Sequence, residues 1–545
     1  MDYKKIAGLM FPNITKDIKF YEEAYPARNL PEGAVVTRFA PSPTGFVHMG
    51  SLRTAFIAKK VASDTNGIFY LRIEDTDDKR SVENGIEGII KDFKDFDFDI
   101  EEGRIGEFED KGIYGPYLQS ERKEIYQTFA KYLVENGLAY PCFCSEEALG
   151  EIRKNQESRK DRLGYFGRYA KCRQLTQEDI ESRLSSGDPF VTRLKSPGDF
   201  NKKVTCEDLT KGKIEFPEND LDVVLLKSDG IPTYHFAHLA DDYLMRTTYI
   251  LRSDEWLSSF PIHAQLFNMF RFPLPKYCHL SPVNKKDGES VRKLSKRKDP
   301  EAALSYYHKE GIPVEAVYLY LMTTANSNFE GWLDQNPSAS INEFKFDFKK
   351  MSPSGSLFDL EKLLNISKNY VSRMKATEVY KHVLEWSSLY DEELYILLKK
   401  YPEFSTAIFN IEREQKKPRK DFASWSSIKD NIWYMYDELF SKDKVDYSIV
   451  NNAEEVSGMI NLYIDKYFDE SDDKQTWFDK IKGLAAEVGY APEMSLYKEA
   501  PENYKGSIAD VSNILRVALT TKTTTPDLYE IMKLLGKEKI KKRLK

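Results

Sequence analysis

The sequence predicts an α/β fold, an open and largely parallel sheet with helices on its faces, followed by an all-α C-terminal half. Three observations carry that expectation. A run of strand formers, Val35 to Phe39, enters a loop with two prolines and a glycine and leaves it as a helical pattern from Leu52 to Ala62. A second strand-like run, Ile68 to Ile73, ends in four polar residues, Glu74 to Asp77. From about Ala376 onward the apolar residues recur at helical spacing. Strand, loop and helix in that order place the loop at the carboxyl end of a strand, where ligands sit in open α/β sheets.

Length and composition set the outer limits. The chain has 545 residues, enough for several domains and a large core. With 41% hydrophobic and 31% charged residues it is not a disordered polymer. Apolar runs such as Val223 to Leu226 are too short to span a bilayer, so no membrane partner is expected. Met1 to Lys5 is not followed by an apolar segment of secretory type, and five cysteines do not make a disulfide framework. A reducing, cytoplasmic location is the expectation. The net charge of −7 speaks against a uniformly basic nucleic-acid binder, yet basic runs exist at Arg153 to Arg162, Lys416 to Lys420 and Lys537 to Lys545.

Residues 1–33 read as a packed arm with one or two short helices and no chemistry. The sheet begins near Ala34. In the first loop Pro41 and Pro43 fix the backbone, and Gly45 permits a close approach or a positive φ. Val47-His48-Met49-Gly50 opens the helix, whose free N–H groups attract anions, with His48 beside them as a donor. That helix stops near Asn66-Gly67. Glu74 to Asp77 reads as a ligand-facing loop, with Asp77 or Ser81 as an N-cap for the next helix. Residues 85–140 read as helices around a turn at Tyr114 to Tyr117, the last running from Gln119 through Leu138 with Ile125, Phe129 and Leu133 on one face.

Residues 141–220 read as an insertion. It carries Cys142, Cys144 and Cys172, a helix from Glu178 to Ser185 capped by Thr176, and strands at Pro189–Leu194 and Ile214–Phe216. Leu221 to Lys227 is a buried-type strand opening the second half of the sheet. Thr247 to Leu251 is another, with Arg252 at its carboxyl end and a helix beginning at Ser253. A planar guanidinium there suits a carboxylate. Asn284 to Ser290 reads as a Gly-containing loop ahead of Lys293-Leu294-Ser295-Lys296-Arg297, a basic loop fit to close over a polyphosphate. Farther on, Val456, Met459, Ile460, Tyr463, Ile464 and Tyr467 make one apolar stripe, and Trp477, Ile481, Leu484 and Val488 another.

Four of these strings carry a resemblance. Arg38 to Ser51 resembles the first signature of class I aminoacyl-tRNA synthetases, in the form of the glutamyl/glutaminyl branch. Arg72-Ile-Glu-Asp-Thr-Asp77 is similar to a second string of that branch, Pro232 to Asp242 resembles its P-T-Y-x-x-A-x-x-x-D-D segment, and Lys293 to Arg297 resembles the second class I signature. Phe346 to Leu364 looks like the stem-contact region, and the helical C-terminal half matches the bacterial glutamyl type.

The resemblance implies a Rossmann-like catalytic domain in two halves, 34–140 and 221–300, with an inserted acceptor-binding subdomain at 141–220, a stem-contact domain at 301–375 and an α-helical anticodon-binding domain at 376–545. It implies ATP-dependent ligation of L-glutamate to tRNA(Glu) through an adenylate, with Mg²⁺, by a monomer. Charging of tRNA(Gln) as well, or a non-catalytic tRNA-binding relative, stays open. His48, Lys293 and Lys296 are the implied catalytic residues. Thr44, Gly45, His48, Gly50, Ser51 and Lys296 would bind ATP, and Arg38, Ala40, Ser42, Glu74, Tyr234, His238 and Arg252 glutamate. His238 stands where relatives often carry asparagine. Cys142, Cys144 and Cys172 either bind zinc with Tyr169 as a fourth ligand or are three reduced thiols. The spacing of Tyr169 from Cys172 is one residue shorter than in zinc-bearing relatives.

Overall fold

The N-terminal arm forms two short helices, Tyr3–Met10 (α1) and Ile18–Ala24 (α2), each capped by an aspartate: Asp2 accepts the Lys5 N–H and Asp17 the Phe20 N–H. These elements belong to a computed structural model, which describes residues 1–77, 82–295, 297–441 and 453–544. Two units divide it, Met1–Leu304 with Tyr318–Asp359 and Ser305–Val317 with Leu360–Lys545.

In the first unit, Val36–Phe39 (β1) is buried at all four positions, as a parallel strand covered on both faces requires. Met49–Asp64 (α3) returns the chain to Ile68–Leu71 (β2), parallel to β1 in the register Val36–Ile68 to Phe39–Leu71. The return is tight: a Cβ on Gly67 would meet the Val35 carbonyl oxygen at 1.9 Å. Gly85–Asp95 (α4) follows. Its cap is Asn84, at φ +57°, and not Asp77 as the sequence suggested; Ser81 lies outside the described residues.

The segment after α4, read as helix, contains two short strands instead. Glu102–Arg104 (β3) extends the sheet in parallel beyond β2, and Asp110–Lys111 (β4) closes it antiparallel. Their polar composition hid them. Glu102 is buried because Arg28 of the arm grips it with two bonds of 2.8 and 2.7 Å, and Arg104 because it pairs with Asp110 at 3.1 Å. The helix expected from Gln119 begins as a single tight turn and is α-helical over Lys123–Glu135 (α5).

The insertion holds Ala139–Cys142 (β5), Glu146–Arg159 (α6), Gln177–Ser185 (α7), Val191–Leu194 (β6), Lys203–Asp208 (β7) and Gly212–Pro217 (β8). Val224–Leu226 (β9), expected in the main sheet, pairs antiparallel with β6 in a three-stranded sheet of order β5-β6-β9. Tyr234–Leu244 (α8) leads to Tyr249–Ser253 (β10). After a short tight-helical stretch Phe260–Phe270 (α9) leads to Lys276–Leu280 (β11), parallel to β10. β7 and β8 continue that sheet. Beside β1, the Thr248 N–H donates to Val36 O at 3.0 Å and the Val36 N–H to Thr248 Oγ1 at 2.8 Å, so β10 and β1 lie side by side.

The loop expected at Asn284–Ser290 is a hairpin, Val283–Asp287 (β12) against Ser290–Lys293 (β13), turning at Gly288 with φ +62°. Ser356–Leu357 (β14) pairs with β12. The second unit is helical, and its core includes Val456, Met459, Ile460, Tyr463 and Ile464 with Ile481 and Leu484, the stripes read from the sequence. Among the described residues no helix is long and apolar enough to cross a membrane.

Candidate active site

The carboxyl ends of β1 and β10 and the N-terminus of α3 open on one cleft of about 1320 Å³ in the first unit. Its walls include Arg38, Ala40, Ser42, Thr44, Gly45, His48, Gly50, Ser51, Glu74, Tyr234, Arg252 and Lys293. These lie far apart in sequence and converge because parallel strands end on the same side. Lys296 lies outside the described residues, and its neighbours Leu294 and Ser295 line the cleft.

His48 caps α3. Its Nδ1 accepts the Ser51 N–H at 3.0 Å, which leaves the proton of the neutral ring on Nε2. Nε2 lies 3.3 Å from Ser51 Oγ. The ring N–H therefore lies beside the first turn of a helix, where the backbone dipole favours anions. Gly50 follows from the same arrangement: a Cβ there would stand 3.0 Å from the His48 ring. Gly45 adopts φ +141°, a conformation that disfavours side chains.

Behind the cleft lies a buried charge network. Arg38 donates to both oxygens of Asp242, at 3.1 and 3.3 Å. Arg72, fully buried, donates to Asp242 Oδ1 at 2.9 Å and to Glu74 Oε1 at 3.0 Å. Arg122 donates to Asp241 Oδ1 at 2.7 Å, while Gln119 and Tyr126 donate to Asp241 Oδ2 at 2.8 and 2.9 Å. Burial alone would raise the Asp242 carboxyl, but Arg38 and then Arg72 hold it well below the usual carboxylate range. Burial raises the Glu74 carboxyl against the pull of Arg72 and Arg38.

Arg252 is held differently. Nε donates to His279 Nε2 at 3.0 Å, and Nη1 faces His263 Nδ1 at 3.1 Å and Tyr234 OH at 3.3 Å. Nη2 donates to Trp256 O at 3.2 Å. Among the described residues no carboxylate is ion-paired with it. Tyr234 packs against Trp256 with ring centres 4.1 Å apart and planes tilted by 35°. His238 sits one layer deeper than expected. It is fully buried, absent from the cleft wall, 3.0 Å from Tyr277 OH through Nε2 and 2.8 Å from Asp242 Oδ2 through Nδ1.

Arg53, not singled out in the sequence, lines the cleft from α3. It is also without a carboxylate among the described residues, and donates to Ser281 O at 3.1 Å and Thr324 O at 3.4 Å. Burial brings its pKa down to about 10. A charged residue on the buried face of α3, between Leu52 and Ala55, was the signal available for it. On the other wall Lys293 pairs with Glu255, and Arg292 clamps Asp299 with bonds of 2.6 and 2.9 Å. Asp299 also accepts the Ser295 N–H at 2.9 Å, so this carboxylate ties down the base of the basic loop.

The cysteine reading needs one correction. Cys142, Cys144 and Cys172 do converge, their sulfurs within 4.8 Å of one another. The Tyr169 ring packs in the same cluster, but its hydroxyl is turned away and donates to Asp161. The hydroxyl at the cluster belongs to Tyr165, 3.5 Å from Cys142 Sγ and 3.4 Å from Cys144 Sγ. Asp161 holds the Tyr169 hydroxyl away from the sulfurs. Hydrogen bonding, from Cys172 first, pulls the Cys142 thiol down to about 4.

Comparison with known proteins identifies the family. Residues 34–364 match the family model of the class I tRNA synthetase (E and Q) catalytic domain, and 494–545 match an anticodon binding domain. The chain is 47% identical to a glutamate–tRNA ligase of Clostridium beijerinckii, across 100% of this chain and 99% of the relative. It is 41% identical to one of Sorangium cellulosum, across 96% of each. The crystal structure of a glutamate tRNA ligase from Elizabethkingia meningosepticum in complex with its amino acid aligns at a TM-score of 0.74 and 26% identity, covering 94% of this chain and 98% of that one. The chain belongs to the class I tRNA synthetases of the E and Q branch, among the glutamate–tRNA ligases.

Proposed function

We propose that the protein ligates L-glutamate to tRNA(Glu) at the expense of ATP, through a glutamyl-adenylate, acting as a cytoplasmic monomer. The observation that carries the reading is the pair of buried guanidinium groups, Arg53 and Arg252, that face one cleft without carboxylate partners among the described residues. A cleft with that imbalance favours anionic substrates. Arg252 and Tyr234 form the amino-acid end, where a guanidinium fork takes the side-chain carboxylate. Glu74, held by Arg72, is the acceptor for the α-amino group. His48 and the first turn of α3 form the phosphate end.

The glutamate α-carboxylate oxygen attacks the α-phosphorus and diphosphate leaves. The terminal ribose hydroxyl of the tRNA then attacks the acyl carbon, its proton passes to a phosphate oxygen of the departing AMP, and AMP leaves. His48 Nε2–H, Lys293 and Lys296 hold phosphate oxygens as their charge grows. Alignment and charge stabilisation account for the rate, with neither a general base nor a covalent enzyme intermediate. Bound with the nucleotide, Mg²⁺ would supply neutralisation of the triphosphate charge. Glu74 and Glu255 are each paired with a cation, so no protein ligand set is assigned to the ion.

The thiol cluster is the proposed zinc site. Tetrahedral zinc with sulfurs at about 2.3 Å sets them about 3.8 Å apart, and Cys144 and Cys172 stand at 3.6 Å. Tyr165 is its oxygen neighbour. Metal analysis of the purified protein should give one zinc per chain, lost in Cys144→Ser. The function itself is tested by charging purified tRNA(Glu) and tRNA(Gln) side by side with labelled glutamate. Label on tRNA(Glu) supports the proposal, label on both makes the enzyme non-discriminating, and label on neither ends it.

A further inference from the structure

We infer that His263 and His279 set the pocket's preference for glutamate over glutamine, because they hold Arg252 with neutral acceptors where its neighbours are held by carboxylates. The inference rests on the proposed glutamate chemistry and concerns how that specificity is built. Arg38, Arg72 and Arg122 share Asp242, Glu74 and Asp241, so their charges cancel within the network. Arg252 is as buried as they are, at 5% exposure, and takes its geometry from two imidazoles, a phenol and a carbonyl.

Both imidazoles must present a lone pair, and their surroundings see to it. His279 Nδ1 lies 2.7 Å from Asp208 Oδ2, which also accepts the His279 N–H at 2.9 Å. Asp208 Oδ1 accepts the N–H groups of Thr210 and Lys211, each at 2.9 Å. A carboxylate so fixed keeps the proton on His279 Nδ1 and turns the Nε2 lone pair toward Arg252. Asp208 lies on β7, so the insertion reaches the pocket through one imidazole. His263 has His235 as its outlet: His263 Nε2 and His235 Nδ1 are 3.0 Å apart. With the His263 proton on Nε2, Nδ1 accepts from Arg252. Burial lowers the pKa of His235, His263 and His279, which keeps the rings neutral.

The guanidinium is thus fixed in place while no carboxylate among the described residues pairs with its charge. A substrate carboxylate completes the pair. A carboxamide offers one acceptor and no charge, and leaves a buried cation without a counter-ion.

The test uses the full-length protein with tRNA, measuring ATP–pyrophosphate exchange against glutamate and against glutamine. His263→Glu places an anion on Arg252 Nη1. It should raise the KM for glutamate about tenfold or more, shrink the glutamate/glutamine preference and leave the KM for ATP unchanged. His263→Gln keeps a neutral acceptor and should stay within about threefold of the parent, whereas His263→Leu, which removes the acceptor, should not. A His263→Glu variant with the parental preference overturns the inference. So does a His263→Gln variant as impaired as His263→Leu, because packing alone would then explain both. If His263→Glu does not fold, the Gln and Leu variants decide, and equal KM values count against the inference. Failure of the parent protein to use glutamate at all would instead overturn the underlying reading.

Discussion

Replacing Arg252 with Gln is the sharpest probe of the amino-acid end. The substitution removes a buried charge whose hydrogen-bond partners among the described residues are two imidazoles, a phenol and a carbonyl, so no ion pair among those residues is lost. What is lost is the grip on the substrate. Each hydrogen bond between a guanidinium and a carboxylate contributes about 1.5–3 kcal/mol, and the fork offers two. A glutamine amide recovers part of one, so a net loss of about 3 kcal/mol is expected, roughly a hundredfold in kcat/KM. The assay is glutamate-dependent ATP–pyrophosphate exchange with saturating tRNA, at varied glutamate and then at varied ATP. The KM for glutamate should carry most of the change and the KM for ATP should stay within about threefold. A variant that loses kcat at an unchanged glutamate KM would show that Arg252 does not meet the substrate carboxylate.

Three further outcomes follow from the same geometry. Asp242→Asn leaves Arg38 and Arg72 without their shared anion, and chemical denaturation should show a loss of about 3–5 kcal/mol, the usual cost of breaking a buried pair; a loss under about 1 kcal/mol would contradict the network described. Burial lowers the pKa of His235 and His238 to about 4 in the folded state. The unfolded chain, with histidine near 6.5, then binds more protons between about pH 6.5 and 4, so stability falls on acidification through that window by up to about 3 kcal/mol per ring. Urea melts at pH 7.5 and pH 5 check it, and a midpoint that does not fall refutes it. His48→Asn keeps an N-cap for α3 but shortens the reach, so stability should hold within about 0.5 kcal/mol while kcat for exchange falls; equal losses in both would reduce His48 to a cap.

The parts of this site legible in the sequence are those announced by local chemistry. Arg38, His48 and Gly45 stand in a strand–loop–helix joint punctuated by prolines, and Arg252 stands at the end of a strand-like run, so their placement on one rim follows from chain direction alone. The partners that decide what each arginine can do were not legible. Asp242 lies 204 residues from Arg38 and 170 from Arg72. His263 and His279 lie on separate elements, and neither periodicity nor motif joins them to Arg252. β3 was missed because two of its three buried residues are charged, and their burial goes with distant or loop partners such as Arg28 and Asp110. Tyr165 and not Tyr169 brings its hydroxyl to the cysteines because Asp161, a partner no motif announces, takes the Tyr169 hydroxyl. His238 moved from wall to support because it lies one helical turn beyond Tyr234 on α8, facing the core.

The most direct test of the account is amino-acid-dependent ATP–pyrophosphate exchange by the purified protein, with and without tRNA, across the amino acids. Exchange that requires both glutamate and tRNA is the predicted result. Exchange driven by another amino acid and not by glutamate would contradict the assignment of Arg252 and its neighbours to a glutamate side chain.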